Sequence, residues 1–362
     1  MRVALDEQIF AIQPVGGISR MFSELAMQLN AGVVSDIELV PFQSPIVNRY
    51  VLDDDGLCRS MSVRSAKNPW TALAAYFCYV GQQPAADIVH STFYLPNGLR
   101  RRRVGKRVVS VHDMIPELMP STRRRLDFLT LKERYIRTAD QLICISESTK
   151  RDLFRVYGKI EAPVHVVHLG VSPHFRPGVQ RADFLPERYI LFVGHRHQYK
   201  DAEILFRAFA EVAQVDHEVE LLCVGGNGLS NQEGSMLEEL GIRRRVSQRF
   251  LSDDLMPTTY ANAELFVFPS RFEGFGLPAL EAMASGTPTI LAQSTSLPEI
   301  GGDGALYFAP GESPELADCI NAVLTDASLS RSLSESGLER ARTFTWRRNA
   351  QRTAEIYREA VR

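Results

Sequence analysis

Two successive series of short apolar runs, separated by segments of helical periodicity, constrain this chain more than any other feature of its sequence. The first series comprises Val3–Leu5, Ile88–His90, Val108–His112, Leu142–Ser146 and Val164–Leu169. The second comprises Tyr189–Gly194, Val219–Gly225, Val246–Phe250, Leu265–Phe268 and Thr289–Ala292. Runs of this length, rich in β-branched and aromatic residues, read as buried strands. Strands that alternate with helices build parallel sheets, because a parallel crossover needs a helix-length connection. The rhythm restarts after the stretch Gly170–Pro177. A chain of 362 residues has room for two domains, so the expectation is an α/β protein with two doubly wound domains, residues 1–176 and 177–345. In the remaining segment, Trp346, Ala350, Ala354, Tyr357 and Ala360–Val361 recur on one face of a terminal helix.

Doubly wound sheets bind ligands beyond the C-terminal ends of their strands. The richest such segment follows Leu265–Phe268, where Glu273 and Glu281 flank the run Gly274-Phe275-Gly276-Leu277-Pro278. Pro278 suits a first helical turn, where its missing N–H is not needed. Peptide N–H groups near Phe275, Gly276 and Leu277 then lie at a helix N-terminus, which favours a phosphate. The glycines let backbone approach ligand closely. Glu273, on the loop, can meet a sugar, while Glu281, about one turn into the helix, can accept the hydroxyls of a ribose. A bare pair of glutamates at this spacing would fit an ordinary amphipathic helix. The strand, the glycines, the proline and the later Ser285-Gly286-Thr287-Pro288 turn together favour the ligand reading.

Other loops carry complementary groups. Arg196 and Lys200, in the segment that starts at Gly194, are cations suited to a departing diphosphate; a solvated turn is the plain alternative. His195 and His197 are too few ligands for zinc. His112-Asp113 follows the run Val108–His112 and should face the sheet's working edge. Asp113 either orients the imidazole or caps the next turn, and a buried histidine satisfied by backbone is the bland reading. Gly16-Gly17 precede a helix marked by Ile18, Met21, Phe22, Leu25, Ala26 and Leu29, and suggest close approach to an anion. Gly225-Gly226-Asn227-Gly228 forms a turn after another strand.

The segment around Glu273 and Glu281 resembles the donor-binding signature of the retaining family 4 glycosyltransferases (glycosyl transferases group 1), in which two glutamates separated by seven residues flank a Gly-Phe-Gly-Leu-Pro core. The loop bearing Arg196 and Lys200, the His112-Asp113 pair, and Gly16, Gly17 and Arg20 are similar to further family elements. Asp201 stands where many members have Asn. The resemblance implies the GT-B fold, with two Rossmann-like doubly wound parallel-sheet domains facing a central cleft. The first would bind the acceptor and the second the nucleotide sugar, and the terminal helix 346–362 would pack back on the first. Glu273, His112, Arg196 and Lys200 would be catalytic. Donor contacts would come from Gly16, Gly17, Gly194, Gly274, Phe275, Gly276, Leu277 and Glu281, with the nucleobase edge at Arg249, Phe250 and Leu251.

The implied reaction is retaining transfer of a hexose, of the mannose type and GDP-linked, to a saccharide or lipid-linked saccharide. It would serve cell-surface polysaccharide or lipopolysaccharide assembly and need no metal or other cofactor. A nucleotide-sugar epimerase of GT-B architecture, a glycoside hydrolase using the two glutamates, and a non-catalytic sugar-binding relative are the alternatives. The hydrolase would have little use for Arg196 and Lys200.

Composition agrees with a globular protein, with 45% hydrophobic and 23% charged residues. A formal net charge of −2 argues against nucleic-acid binding. The cysteines Cys58, Cys78, Cys144, Cys223 and Cys319 lack metal-ligand spacing and read as buried hydrophobes. Asp53-Asp54-Asp55 superficially resembles the metal-binding acids of the other large glycosyltransferase fold, but an acidic loop is the simpler account. Arg100, Arg101, Arg102, Arg103, Lys106 and Arg107 form a basic cluster, extended by Arg123–Arg125, Lys132, Arg134 and Arg137. This is either a docking face for anionic lipid or a solvated face. No apolar run approaches the length of a bilayer span, and Asp6 interrupts any signal-like core. The expected location is the cytoplasm, with peripheral contact at the inner face of the membrane.

Overall fold

The computed structural model describes residues 1–42, 47–52, 85–96, 99, 105–119, 126–196 and 198–362. Asp53–Asp55, Arg100–Arg103, Arg123–Arg125, Cys58, Cys78 and His197 lie outside the described residues. The chain divides into two compact units, one formed by Met1–Gly170 with Thr345–Arg362 and the other by Val171–Phe344. The boundary expected at 176/177 thus falls at 170/171. There the Val171 N–H donates to the Phe344 carbonyl at 3.1 Å, which joins the two ends of the second unit.

In the first unit, β1 (Arg2–Leu5), β2 (Glu38–Leu39), β3 (Ile88–Ser91), β4 (Lys106–Val111), β5 (Gln141–Cys144) and β6 (Val164–Val166) form a sheet. Its order is β2-β1-β3-β4-β5-β6, and every pairing is parallel. Val109, Val111, Met114, Tyr135, Ile136, Leu142, Cys144 and Leu153 build a core on one side. The terminal helix Trp346–Val361 packs on the helix Gly17–Asn30 and on β3 and β4. Its buried face carries Trp346, Ala350, Ala354, Ile356 and Tyr357. The Tyr357 hydroxyl reaches His90 Nδ1 at 2.7 Å, and His90 Nε2 reaches Ser110 Oγ at 2.8 Å. The buried imidazole is therefore partnered on both nitrogens. Gly170 allows the helix to arrive, since a Cβ there would lie 2.2 Å from the Trp346 nitrogen.

The second unit repeats the architecture with β7 (Tyr189–Val193), β8 (Glu220–Val224), β9 (Val246–Arg249), β10 (Leu265–Phe268), β11 (Thr289–Ala292) and β12 (Leu306–Phe308). Its order is β12-β11-β10-β7-β8-β9, again parallel throughout. This is the Rossmann order, in which the direction of winding reverses between the first and fourth strands of the sheet, here β7 and β10. Every residue of β10 and β11 is buried, as strands covered by helices on both faces require. Cys144 and Cys223 lie inside the sheets, and burial pushes both thiols up to about 12. Among the described residues, no helix is long and apolar enough to cross a membrane.

Candidate active site

The reversal point between β7 and β10 brings together most of the groups singled out in the second series. The turn after β10 is held from the neighbouring loop that follows β11. The Glu273 N–H donates to Thr295 Oγ1 at 2.9 Å, and Ser296 Oγ donates to the carbonyls of Glu273 (3.0 Å) and Phe275 (2.9 Å). The Ser294 hydroxyl donates to the Arg271 carbonyl. Thr295 makes its contact from a left-handed conformation with φ 47°. That region costs an L-residue on the order of 1–2 kcal/mol, and a β-branched one is an outlier there.

Gly276 has φ 107°, and a Cβ on it would lie 2.8 Å from Leu297 Cδ2, so the turn demands glycine. The helix Leu277–Ala284 starts immediately after it, with Pro278 in the first turn and no side-chain cap. Its backbone donors and positive dipole end therefore lie beside the Glu273 turn. Glu281, 6% exposed, accepts a hydrogen bond from the Tyr260 hydroxyl at 2.9 Å. Tyr260 is fully buried, its ring edge-on to Phe175 and Phe266.

The loop after β7 supplies the cation. Lys200 Nζ donates to Glu273 Oε1 at 2.6 Å and lies 5.1 Å from the Phe268 ring centroid. Asp201 adopts φ 53°, a conformation that Asn and Asp tolerate better than other side chains. Its carboxylate receives Arg271 Nε at 2.5 Å, while the Arg271 N–H donates to the Tyr199 carbonyl at 2.7 Å. Asp201 thus keeps a backbone shape that asparagine would also accept and adds an ion pair between the two loops.

Arg196 is placed differently from the free cation expected of it. Its guanidinium donates to Glu233 Oε1 (2.9 Å) and to the carbonyls of Gly225 (3.1 Å), Asn227 (2.5 Å) and Gly228 (3.1 Å). The side chain is only 4% exposed. Glu233 also closes a capping box with Ser230 at the start of the helix Asn231–Glu239. Arg196 therefore anchors the Gly225–Gly228 turn, spending on backbone carbonyls a donor fork that would otherwise suit a phosphate. Gly194 continues the sheet through its N–H to the Val224 carbonyl at 2.9 Å. Arg249 closes β9, its carbonyl accepting from the Gly225 N–H at 3.0 Å and its guanidinium lying over Phe184. Phe250 is 84% exposed, and Leu251 beside it is half-buried.

In the first unit, His112 lies one residue beyond β4 and is 6% exposed. Its ring stands edge-on to Phe22, with centroids 5.9 Å apart. The Thr92 backbone accepts a hydrogen bond from it, yet burial dominates and lowers its pKa to about 4. Among the described residues, Nε2 has no hydrogen-bond partner. A buried imidazole nitrogen left in that condition is unusual and marks a position where a substrate polar group would be welcome. Asp113 caps the following turn, its Oδ1 accepting from the Ile115 N–H at 3.0 Å. Gly16 and Gly17 begin the helix as expected, but the Gln13 amide covers that start, accepting from the Ser19 N–H at 2.9 Å.

Among the described residues, the basic side chains of this group do not share one free face. Lys132 is 2% exposed, paired with Glu117 at 2.9 Å and donating to the Asp113 carbonyl at 2.6 Å. Arg137 pairs with Glu133, Lys106 with Asp140, and Arg107 binds Thr138 Oγ1. Lys132 is thus a support for the His112-Asp113 loop and not part of a docking face.

Comparison with known proteins agrees with this architecture. Residues 15–175 match the family model described as Glycosyltransferase Family 4, and residues 180–340 match Glycosyl transferases group 1. The chain is 29% identical over 331 residues to the MMP alpha-(1->4)-mannosyltransferase of Mycolicibacterium hassiacum, covering 83% of this chain and 80% of that protein. It is 27% identical over 281 residues to O-antigen chain mannosyltransferase B of Escherichia coli, covering 74% and 72%. Among solved structures, sucrose-phosphate synthase from Thermosynechococcus elongatus superposes with a TM-score of 0.74 at 20% identity, over 99% of this chain and 98% of that one. With two parallel Rossmann-like sheets, each matched by a glycosyltransferase model, the chain is a family 4 glycosyltransferase of the GT-B fold.

Proposed function

We propose that this glycosyltransferase moves a hexose of the mannose type from a GDP-linked donor to a hydroxyl of a saccharide or lipid-linked saccharide. Configuration at the anomeric carbon is retained, and no metal ion takes part. The observation that carries the donor reading is the Lys200–Glu273 pair, 2.6 Å apart at the strand-order reversal and beside a helix start without a side-chain cap. A nucleoside diphosphate bound there gives Lys200 a stronger partner, and Glu273 then faces the sugar. As the bond from C1 to the phosphate oxygen breaks, charge grows on the terminal phosphate, where the ammonium and the helix dipole stabilise it. Glu273 orients the sugar and stabilises positive charge at C1, without serving as a covalent nucleophile. The acceptor oxygen bonds to C1 from the same face, and its proton passes to the leaving phosphate.

Glu281, held by Tyr260, takes the ribose in this reading, and residues Arg249 to Leu251 border the base. Arg196 acts through the Gly225–Gly228 turn. His112 offers Nε2 to a substrate hydroxyl or phosphate in the first unit, which takes the acceptor. The mannose assignment is supported by the names of two relatives, both mannosyltransferases. The name of the O-antigen relative also supports a place in surface polysaccharide assembly.

A thermal-shift panel of GDP, UDP and ADP tests the donor first. A ligand at about 100 times its dissociation constant adds about 2.7 kcal/mol of stability. GDP should give the largest shift, and a larger one with UDP would overturn the GDP assignment. NMR of the product from GDP-mannose and an acceptor tests retention, and turnover in excess EDTA tests metal independence. Epimerised donor in the absence of acceptor would move the assignment to an epimerase.

A further inference from the structure

We infer that Thr295, on the loop after β11, is a positioning residue for Glu273, held in a strained conformation so that its hydroxyl fixes the Glu273 amide. This rests on the reading that Glu273 is the carboxylate at the transferred sugar. Three observations converge on it. Thr295 has φ 47°, in a region that a β-branched residue rarely occupies. Its Oγ1 accepts from the Glu273 N–H at 2.9 Å. The next residue, Ser296, is fully buried and donates to the carbonyls of Glu273 and Phe275. The peptide groups on both sides of Glu273 are therefore held by two consecutive side chains from an adjacent strand's loop.

Elementary chemistry explains why such a brace is useful. The Glu273 carboxylate pairs with Lys200 at 2.6 Å, and a diphosphate would draw that ammonium away. Once its ionic partner leaves, the direction of the carboxylate depends on the backbone beneath it. That backbone lies in a turn next to Gly274 and Gly276, with Gly276 at φ 107°, where conformational freedom is greatest. The hydrogen bond that the Glu273 N–H donates to Thr295 and the one that Ser296 donates to the Glu273 carbonyl remove that freedom. Strain of this kind persists where the surroundings over-determine it, and it clusters at active sites.

Thr295→Ala and Thr295→Ser, measured alongside Glu273→Gln, test the inference. Thr295→Ala should lower kcat at least tenfold while leaving nucleoside diphosphate affinity within about threefold, because its effect runs through Glu273. Thr295→Ser keeps the hydroxyl and should recover kcat to within about threefold of the parent. Adding Thr295→Ala to Glu273→Gln should cost nothing further in kcat. A readout independent of turnover is hydrogen exchange in a peptide spanning residues 270–276. Protection at the Glu273 amide should fall in Thr295→Ala and persist in Thr295→Ser. Equal behaviour of the alanine and serine variants in kcat and exchange would overturn the inference and leave the assignment of Glu273 intact. Undiminished turnover of Glu273→Gln would overturn both.

Discussion

At the scale of single residues, the site rests on acids whose partners come from other parts of the sheet. Glu273 holds Lys200 from the loop after β7, and Glu281 holds Tyr260, which precedes β10. Glu273→Gln keeps the shape of the side chain and removes the charge. Turnover is expected to fall about 100-fold, the loss typical of one electrostatic contact made in the transition state, while the GDP dissociation constant stays within a few-fold by calorimetry. Tyr260→Phe releases one oxygen of Glu281 from a charge-assisted bond. GDP should bind about tenfold more weakly, whereas a GDP analogue lacking the ribose hydroxyls should bind the two proteins equally. Glu273, Gly276 and Glu281 were legible because they form one local pattern in the sequence. Thr295, Ser296, Tyr260 and Glu233 were not, since each acts on a residue brought near by the sheet. The charge of Arg196 was legible but its direction was not, because the carbonyls it binds belong to a turn about 30 residues away.

At the scale of elements, the turn into the helix Leu277–Ala284 has the least tolerance. Gly276→Ala places a Cβ 2.8 Å from Leu297 Cδ2 at a φ of 107°. The variant should lose several degrees in Tm, at about 2–4 °C per kcal/mol for a unit of this size, and bind GDP poorly. Asp201→Asn is the contrasting case. Asparagine accepts φ 53°, and the ion pair it removes involves an Arg271 side chain that is 52% exposed, so the cost should stay below about 1 kcal/mol. The buried strands were readable as short apolar runs, with β10 and β11 found at their observed limits. Strands β2 and β12, of two and three residues, were missed because they are too short to show a period. The run Val164–Leu169 shrinks to Val164–Val166, since apolar residues continue into the connection after the ladder ends.

At the scale of the whole molecule, two buried histidines tie stability to pH. Burial lowers His90 from 6.5 to about 3 and His112 from 6.5 to about 4. The unfolded chain takes up protons that the folded chain refuses, so stability is fully present above pH about 6.5 and declines as pH falls toward these lowered values. Each histidine should remove about 1.4 kcal/mol per pH unit within its window, giving an acid-side fall in urea midpoint from pH 6.5 down to 4. His112→Gln should flatten that slope. Tyr357→Phe leaves His90 Nδ1 without its 2.7 Å partner. It should cost about 1–3 kcal/mol in chemical denaturation.

The return of Trp346–Val361 to the first unit also bears on synthesis. The second unit is one continuous stretch, Val171–Phe344, while the first is interrupted and needs Thr345–Arg362 to be whole. On the ribosome, the later-made unit therefore has all its parts before the earlier-made one does, reversing the usual N-terminal-first order of domain folding. A nascent first unit carries the His90 side of its core uncovered until Thr345–Arg362 has been made, and that interval is when a chaperone would have most to hold.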